Sequence, residues 1–284
     1  MSNDSLALSA SEKVGGWRLF LKTVIARAYP RVIGQQREKS WLFFEIFLPM
    51  LAVAAYVYVY RAMGAPEDYT GFVVIGGAMT AFWMNVLWGM STQLYWEKEQ
   101  GNLPLYILAP NPLMAILLGM ALGGLYATAL RAIAIIVLGT WMFNIHFAVS
   151  NFLQLFLVFM LSMTALYGMG MMAASLFLLL SREAWHISNL AQEPIYLVSG
   201  FYFPIRSFNF WVAAAASLIP LTLGLDAMRQ LTFASGPSLG FLNVRLEITI
   251  LVILCVVFLT AAKLLLDYME RLAVREGRIT ENRR

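Results

Sequence analysis

Charged residues are scarce in this sequence. They make up 13% of its 284 residues, whereas soluble domains carry about 25%, so a soluble globular domain is excluded. Long strands of alternating polarity, which an outer-membrane barrel needs, are absent. The single cysteine, Cys255, excludes an intramolecular disulfide. The chain is 60% hydrophobic, and helices are the remaining way to satisfy its backbone in lipid.

Catalytic and metal-binding signatures are missing as well. The chain has no Gly-Lys dipeptide and therefore no glycine-rich phosphate loop ending in Lys-Ser or Lys-Thr. The two histidines, His146 and His186, are predicted on opposite faces of the membrane, so they form no zinc site. No Gly-x-Ser-x-Gly elbow occurs. We expect no catalytic residue, no bound metal and no nucleic-acid partner, and any ATP must be hydrolysed by another polypeptide.

Several apolar stretches reach roughly the 20 residues that a helix needs to cross a bilayer. They predict an all-α, polytopic membrane protein with six transmembrane helices. A short polar loop, residues 181–186, separates the fourth helix from the fifth. The glycines of the third helix, Gly119, Gly123 and Gly124, predict close helix contact. The predicted spans are residues 41–60, 71–95, 113–141, 151–180, 187–203 and 245–266.

The segment before the first span, residues 1–40, is predicted to be an N-terminal region with one helix. Residues 1–15 are small and polar, which indicates a disordered lead. Residues 16–29 form an amphipathic pattern, and Pro30 is expected to end or kink that helix. This pattern predicts a helix in the membrane interface, with its cations towards water and anionic lipid. Its apolar stripe consists of Trp17, Phe20, Leu21, Val24 and Ala28.

Residues 203–244 are apolar but interrupted by prolines and charges. Residues 211–219 are too short to cross alone, so two half-helices that dip in from one side are predicted. Non-helical backbone at that depth requires cover by protein or a lined cavity. A charged tail, residues 267–284, follows the last span.

Basic residues are distributed unevenly between the two predicted sides. Fifteen lysines and arginines fall with the two ends of the chain and with the loops that contain Lys98 and Arg182. The opposite side holds four. By the positive-inside rule we expect both termini in the cytoplasm of a multi-pass protein of the inner (plasma) membrane.

The stretch 96–112 interrupts the apolar chain with three consecutive charges, a run of leucines and aromatics, and two prolines. One interpretation is a solvated loop with a few interfacial leucines. The other is a lever that fills a groove on a partner, with charges that set its orientation. Pro104 predicts a short helix centred on residues 105–109.

Three ionisable side chains are predicted inside the membrane: Arg131 in the third span, Glu45 near one end of the first, and Glu193 in the fifth. A charge at bilayer depth costs roughly 2.5 kcal/mol or more unless it has a partner or water. They are expected either to line a polar pathway or to hold the bundle together by an ion pair such as Arg131 with Glu193. Glu45 can also reach the interface.

Three patches, together with the amphipathic N-terminal helix, resemble ABC-2-type exporter permeases, the membrane subunits of ABC transporters for drugs, lipid-linked polysaccharides and other amphiphiles. The likeness covers nearly the whole chain. Pro104, Ala109, Asn111 and Met120 depart from the family pattern. The matching residues are Glu97, Glu99, Gly101, Leu103, Leu108 and Pro110 with 116–119; Gly200, Phe203 and Pro204 within 200–204; and Pro220 within 218–221 with Asp226 and Arg229.

The resemblance implies that a coupling helix in 96–112 docks on a separate ABC ATPase subunit, which binds ATP and Mg. It further implies two ATPase copies, a second permease chain of the same or a similar kind, membrane lipid as surroundings, and export as the direction. A non-transporting scaffold or sensor, and an ion-coupled carrier using Arg131 and Glu193, are the alternatives. The coupling residues are expected to be Trp96, Glu97, Lys98, Glu99, Gly101, Leu103, Leu105, Tyr106, Leu108 and Pro110.

Overall fold

The computed structural model describes residues 16–109, 112–180, 183–234 and 236–276, and all their regular structure is helical. The predicted lead 1–15 and residues 277–284 of the tail lie outside this range. A π-helical segment, Asn85–Ser91, interrupts the second long helix. The helices are α1 Trp17–Arg37, α2 Lys39–Ala62, α3 Asp68–Met84, α4 Gln93–Glu99, α5 Leu103–Leu108, α6 Leu113–Phe143, α7 Phe152–Leu180, α8 Glu183–Val198, α9 Phe210–Ala216, α10 Pro220–Thr232, α11 Gly236–Leu239 and α12 Val244–Glu276.

Within the described residues, five helical stretches are long and apolar enough to cross a bilayer. This confirms an all-α, polytopic membrane protein. The last helix runs on to Glu276, so the predicted charged tail begins as helix. The five stretches are Leu42–Ala62, Asp68–Glu99, Leu113–Phe143, Phe152–Phe177 and Val244–Leu272.

The predicted fifth span is shorter than expected. It falls on α8, whose 16 residues extend about 24 Å, less than the roughly 30 Å of a hydrocarbon core. Residues 183–186, predicted as loop, are the first turn of α8. After α8, Gly200 turns the chain with φ +75°, a conformation that glycine adopts without strain.

The predicted pair of half-helices is present as α9 and α10. They bend by 107° at their junction, and only together are they long and apolar enough to cross a membrane, which would bring the count to six. Every residue of α10 is buried, since α7, α12 and α3 surround it. Helix α10 is thus covered by protein, as a segment that does not cross the bilayer by itself requires, whereas α9 exposes Phe210 and Trp211.

The N-terminal helix packs along α6 at the predicted glycines. A Cβ at Gly119 would lie 2.5 Å from the carbonyl oxygen of Val24, and one at Gly123 would lie 2.8 Å from that of Ala28. The part of the apolar stripe around Val24 and Ala28 therefore faces protein, while Trp17 and Leu21 are exposed. Pro30 was expected to end or kink this helix, and the helix does not end there. Pro30 lies inside α1 at an exposed position, where water can take the carbonyl that its missing N–H leaves free.

Contacts between residues near the ends of the helices define two ends of the bundle. At one end, the Glu97 end, Arg27 pairs with Glu97. The other is the Arg229 end, where Arg61 donates to the carbonyl of Phe143 at 2.9 Å. There the loop before α7 also bonds the end of α10, from the Ala148 N–H to the Thr232 carbonyl at 2.9 Å. Successive long helices run between these ends.

Candidate functional site

Glu97 is the centre of a polar cluster that joins three helices at one end of the bundle. It is 5% exposed. Its Oε1 lies 2.6 Å from Nη2 of Arg27 in α1 and accepts from Nε2 of Gln93 at 3.0 Å. Its Oε2 accepts from Asn102 at 2.9 Å and from the hydroxyl of Tyr106 in α5 at 2.9 Å. One carboxylate therefore fixes α1, α4 and α5 relative to one another.

Tyr106 closes the cluster from the α5 side. The guanidinium of Arg27 donates to its hydroxyl and lies 4.7 Å from the centre of its ring. Burial raises the pKa of Tyr106 to about 12, and its hydrogen bond to Glu97 acts in the same direction. The phenol therefore stays protonated and keeps donating to the carboxylate.

The predicted coupling residues divide into an inward and an outward set. Glu97 and Leu103 are buried, so they belong to the support of the segment. Three apolar side chains face outward: Trp96 is 42%, Leu105 65% and Leu108 82% exposed. Helix α5 spans Leu103–Leu108 with a proline in its first turn, where a missing N–H is tolerated. Among the rest, Tyr106 and Lys98 are half-buried, Glu99 and Gly101 are exposed, and Pro110 lies outside the described residues.

A second arginine of α1, Arg31, continues the polar contacts into the bundle. Its guanidinium donates to the side chain of Gln93 at 3.0 Å and to the carbonyl of Gly89, in the π-helical segment, at 2.6 Å. Burial lowers the pKa of Arg31. Because Gln93 also donates to Glu97, Arg31 and the Glu97 cluster are directly connected.

Beyond the π-helical segment, polar side chains lead to Arg131. The hydroxyl of Tyr167 donates to Asn85 at 3.0 Å. Thr128, on α6, accepts from Nη2 of Arg131 at 3.2 Å. Asn85 and Arg31 both border Gly124. Buried polar groups therefore run from the Glu97 end to the middle of α6.

Arg131 forms an ion pair with Glu45 of α2. The partner predicted as an example was Glu193, and Glu45 was expected to line a polar pathway or to reach the interface. Glu193 instead is exposed and accepts from the neighbouring Gln192 at 3.2 Å. Of the ion pair, Arg131 has 5% of its side chain exposed and Glu45 has 32%, so the carboxylate is the accessible half.

A cavity of about 500 Å³ opens beside this ion pair. Its walls come from α2, α3, α6 and α8, and they are mainly apolar. Three aromatic rings, those of Phe44, Tyr196 and Tyr202, line it together with Glu45 and Arg131. Two of the three predicted intramembrane charges, Glu45 and Arg131, thus line this cavity, whereas Glu193 does not.

At the other end, Arg229 brings together the two patches of the predicted re-entrant motif. It is 3% exposed and donates to the carbonyls of Gly200 at 2.5 Å and Phe201 at 2.7 Å. It also reaches Phe203, at 3.4 Å, and Phe72 of α3, at 2.9 Å. Pro204 follows this turn, and Pro220 begins α10. The arginine thus fastens the turn after α8 to α10 and α3.

Asp226 holds the loop before α12. It accepts from the backbone N–H of Phe241 at 2.8 Å and from Gln230 at 3.1 Å. Gln230 also donates to Glu247 at 3.2 Å. Gln230 and Glu247 were missed by the sequence analysis, because neither belongs to a short motif.

Other residues of the polar clusters were missed as well: Arg31, Asn85, Asn102 and Tyr167. Arg27 was missed too. One signal was available, since Arg27 and Arg31 are four residues apart and so share a helix face. The partners of that face, however, are 58 to 79 residues away along the chain.

Fold and site together define a polytopic helical membrane protein. It has a partly exposed apolar helix at one end, a polar core, and at the other end a half-helix pair of which α10 is buried. Comparison with known proteins gives the family. The model of the ABC-2 type transporter family matches residues 21–233, and the chain belongs to that family.

Two curated relatives are similar to part of the chain. Both carry the name "Probable multidrug ABC transporter permease YbhR", one from Escherichia coli strain K12 and one from Escherichia coli O157:H7. Each is 25% identical over 164 residues, which cover 58% of this chain and 44% of the relative. The alignment therefore spans less than half of these relatives' length.

Proposed function

We propose that this chain is the membrane-spanning subunit of an ATP-driven exporter and that a separate ATPase drives it through the segment 96–112. Family membership supports the transporter class. The absence of a phosphate loop from the sequence supports ATP and Mg on another polypeptide. The names of the relatives support a drug-like amphiphile as substrate, with lipid and lipid-linked polysaccharide as the other amphiphiles of the same class.

The observation that carries this proposal is the division of the coupling segment into an apolar outer face and an anchored inner face. Trp96, Leu105 and Leu108 offer a surface for a groove on the ATPase. Behind them Glu97 joins α5 to α1 and α4. A push on α5 is therefore transmitted to α1 and α4 through the contacts of Glu97.

The Glu97 end is assigned to the cytoplasm, with both termini there, because most basic residues belong to that side. The membrane is the inner (plasma) membrane. Two ATPase subunits and a second permease chain, identical or similar, complete the transporter. ATP-driven closure of the ATPases presses α5, and the tilt of the long helices opens a path between the two permeases.

The alternative of an ion-coupled carrier was based on Arg131 and Glu193 as a working pair. The ion pair between Arg131 and Glu45 gives the arginine a structural partner, which removes the main reason for that alternative. A scaffold or sensor that does not transport would not explain why α5 has an exposed apolar face.

The test is purification of the tagged chain from cell membranes, followed by measurement of ATP hydrolysis and sequencing of co-eluting proteins. We expect a partner with a phosphate loop. The triple variant Trp96→Ala, Leu105→Ser, Leu108→Ser should reduce its recovery about tenfold or more. The matched control, Val149→Ser, changes an exposed apolar residue in the loop at the Arg229 end and should have no effect. Equal recovery with the triple variant, or no ATPase with the unmodified chain, contradicts the proposal.

A further inference from the structure

We propose that the cavity beside the Arg131–Glu45 ion pair is a binding site for hydrophobic organic cations. The inference rests on the proposed function, because it names the substrate class of the transporter. It goes further by assigning both a location and a sign of charge to the ligand.

The size and walls of the cavity suit a small amphiphile. Its volume of about 500 Å³ falls within the roughly 300–1,000 Å³ typical of ligand pockets. Leu48, Ala52 and Met84 supply apolar wall, and Phe44, Tyr196 and Tyr202 supply rings. Aromatic faces attract cations, and most strongly where water is excluded.

The ion pair at the edge of the cavity is asymmetric in a way that selects the sign of the ligand. The side chain of Glu45 is 32% exposed and that of Arg131 is 5% exposed. A ligand in the cavity therefore meets a carboxylate, and an anion would have to displace Glu45 to reach the guanidinium.

Arg131 can share its carboxylate without being left unpaired. It also donates to the hydroxyl of Thr128 at 3.2 Å and to the carbonyl of Ala127 at 3.3 Å. These acceptors hold the guanidinium in place while Glu45 turns one oxygen to a cation. The cost of a charge at this depth falls when it meets a counter-charge.

A second carboxylate strengthens the preference for a cation. Glu193 is exposed and precedes Tyr196 by three residues, so both lie on one face of α8. Tyr196 itself lines the cavity. The accessible carboxylate of Glu45 in the wall and the exposed carboxylate of Glu193 on the adjoining face of α8 together favour a cation over an anion on this side.

The test compares two ions of nearly equal size and shape but opposite charge, tetraphenylphosphonium and tetraphenylborate. Binding to the full chain in lipid nanodiscs is measured against nanodiscs without protein. We expect the phosphonium to bind the protein about tenfold or more tightly than the borate, which corresponds to about 1.4 kcal/mol. Equal or tighter binding of the borate overturns the proposal.

Variants then locate the site. Ala52→Trp fills the cavity without changing a charge, and Glu45→Gln and Glu193→Gln each remove one carboxylate. Each should weaken phosphonium binding by about fivefold or more, whereas Glu67→Gln, at an exposed acid outside the cavity, should leave it unchanged. If Glu45→Gln fails to fold, Ala52→Trp decides, and unchanged binding there refutes the location. If the unmodified chain recovers the ATPase but does not prefer the phosphonium, this inference alone is refuted. If it prefers the phosphonium but recovers no ATPase, only the coupling proposal is refuted.

Discussion

The two ends of the bundle each depend on one buried charge, but they satisfy it differently. At the Glu97 end, a carboxylate is held by side chains from three helices: Arg27, Gln93, Asn102 and Tyr106. At the Arg229 end, a guanidinium is held by the backbone carbonyls of one turn and of α3.

This difference bears on which end can move. Side-chain partners can change rotamers and exchange hydrogen bonds, so the Glu97 cluster can rearrange while its helices stay folded. Carbonyl partners move only with the backbone, and that backbone is tightly packed. A Cβ added at Gly76 would lie 1.6 Å from the carbonyl oxygen of Phe201. The Glu97 end is suited to receive a push, and the Arg229 end is suited to act as a fixed point.

The largest effect is expected for Arg229→Met. The substitution leaves the carbonyls of Gly200, Phe201 and Phe72 without their donor in a buried site, at a cost of about 3 kcal/mol or more. We expect a strong fall in yield and in the midpoint of thermal unfolding in detergent.

The control is Arg206→Met, which removes an exposed arginine with one bond to the carbonyl of Ser238. It should unfold like the unmodified protein. Equal stability of the two variants would show that the carbonyl cage does not hold the Arg229 end.

A moderate effect is expected for Glu97→Gln. The amide keeps the shape but removes the negative charge that Arg27 and Tyr106 address, at a cost of about 1–2 kcal/mol. Folding should survive, while stimulation of ATP hydrolysis in the purified complex is lost. Glu99→Gln is the matched control, because Glu99 is an exposed acid two residues away. A Glu97→Gln protein that couples normally would contradict the role of the cluster.

The sequence predicted the features that depend on neighbours along the chain. Long apolar runs predicted five of the six spans, and the glycines of the third span predicted a close helix contact, which the structure places against α1. The sequence did not show that Glu97 faces inward. Nothing in the chain near it distinguishes Glu97 from Glu99, and its partner Arg27 lies in a helix far away in sequence. The ion pair of Arg131 was misjudged for the same reason, since its partner lies 86 residues earlier.

The smallest effect, and the most specific, is expected for Tyr106→Phe. Removal of one hydroxyl should cost about 1 kcal/mol near neutral pH, because Glu97 retains its other donors. The folded state raises the pKa of Tyr106 from 10.0 to about 12, so it binds the phenol proton more tightly than the unfolded chain does. This contribution to stability is complete below about pH 10 and is lost as the pH rises through about 12.

The measurement is the midpoint of unfolding as a function of pH. Only the unmodified protein has the Tyr106 hydroxyl, so the difference in unfolding midpoint by which it exceeds Tyr106→Phe, its lead, should narrow between about pH 10 and 12. Tyr268→Phe, at an exposed position on α12, is the control for loss of a tyrosine hydroxyl. A lead that stays constant with pH would mean that Tyr106 does not donate to Glu97, and the Glu97 end would then be held by Arg27, Gln93 and Asn102 alone.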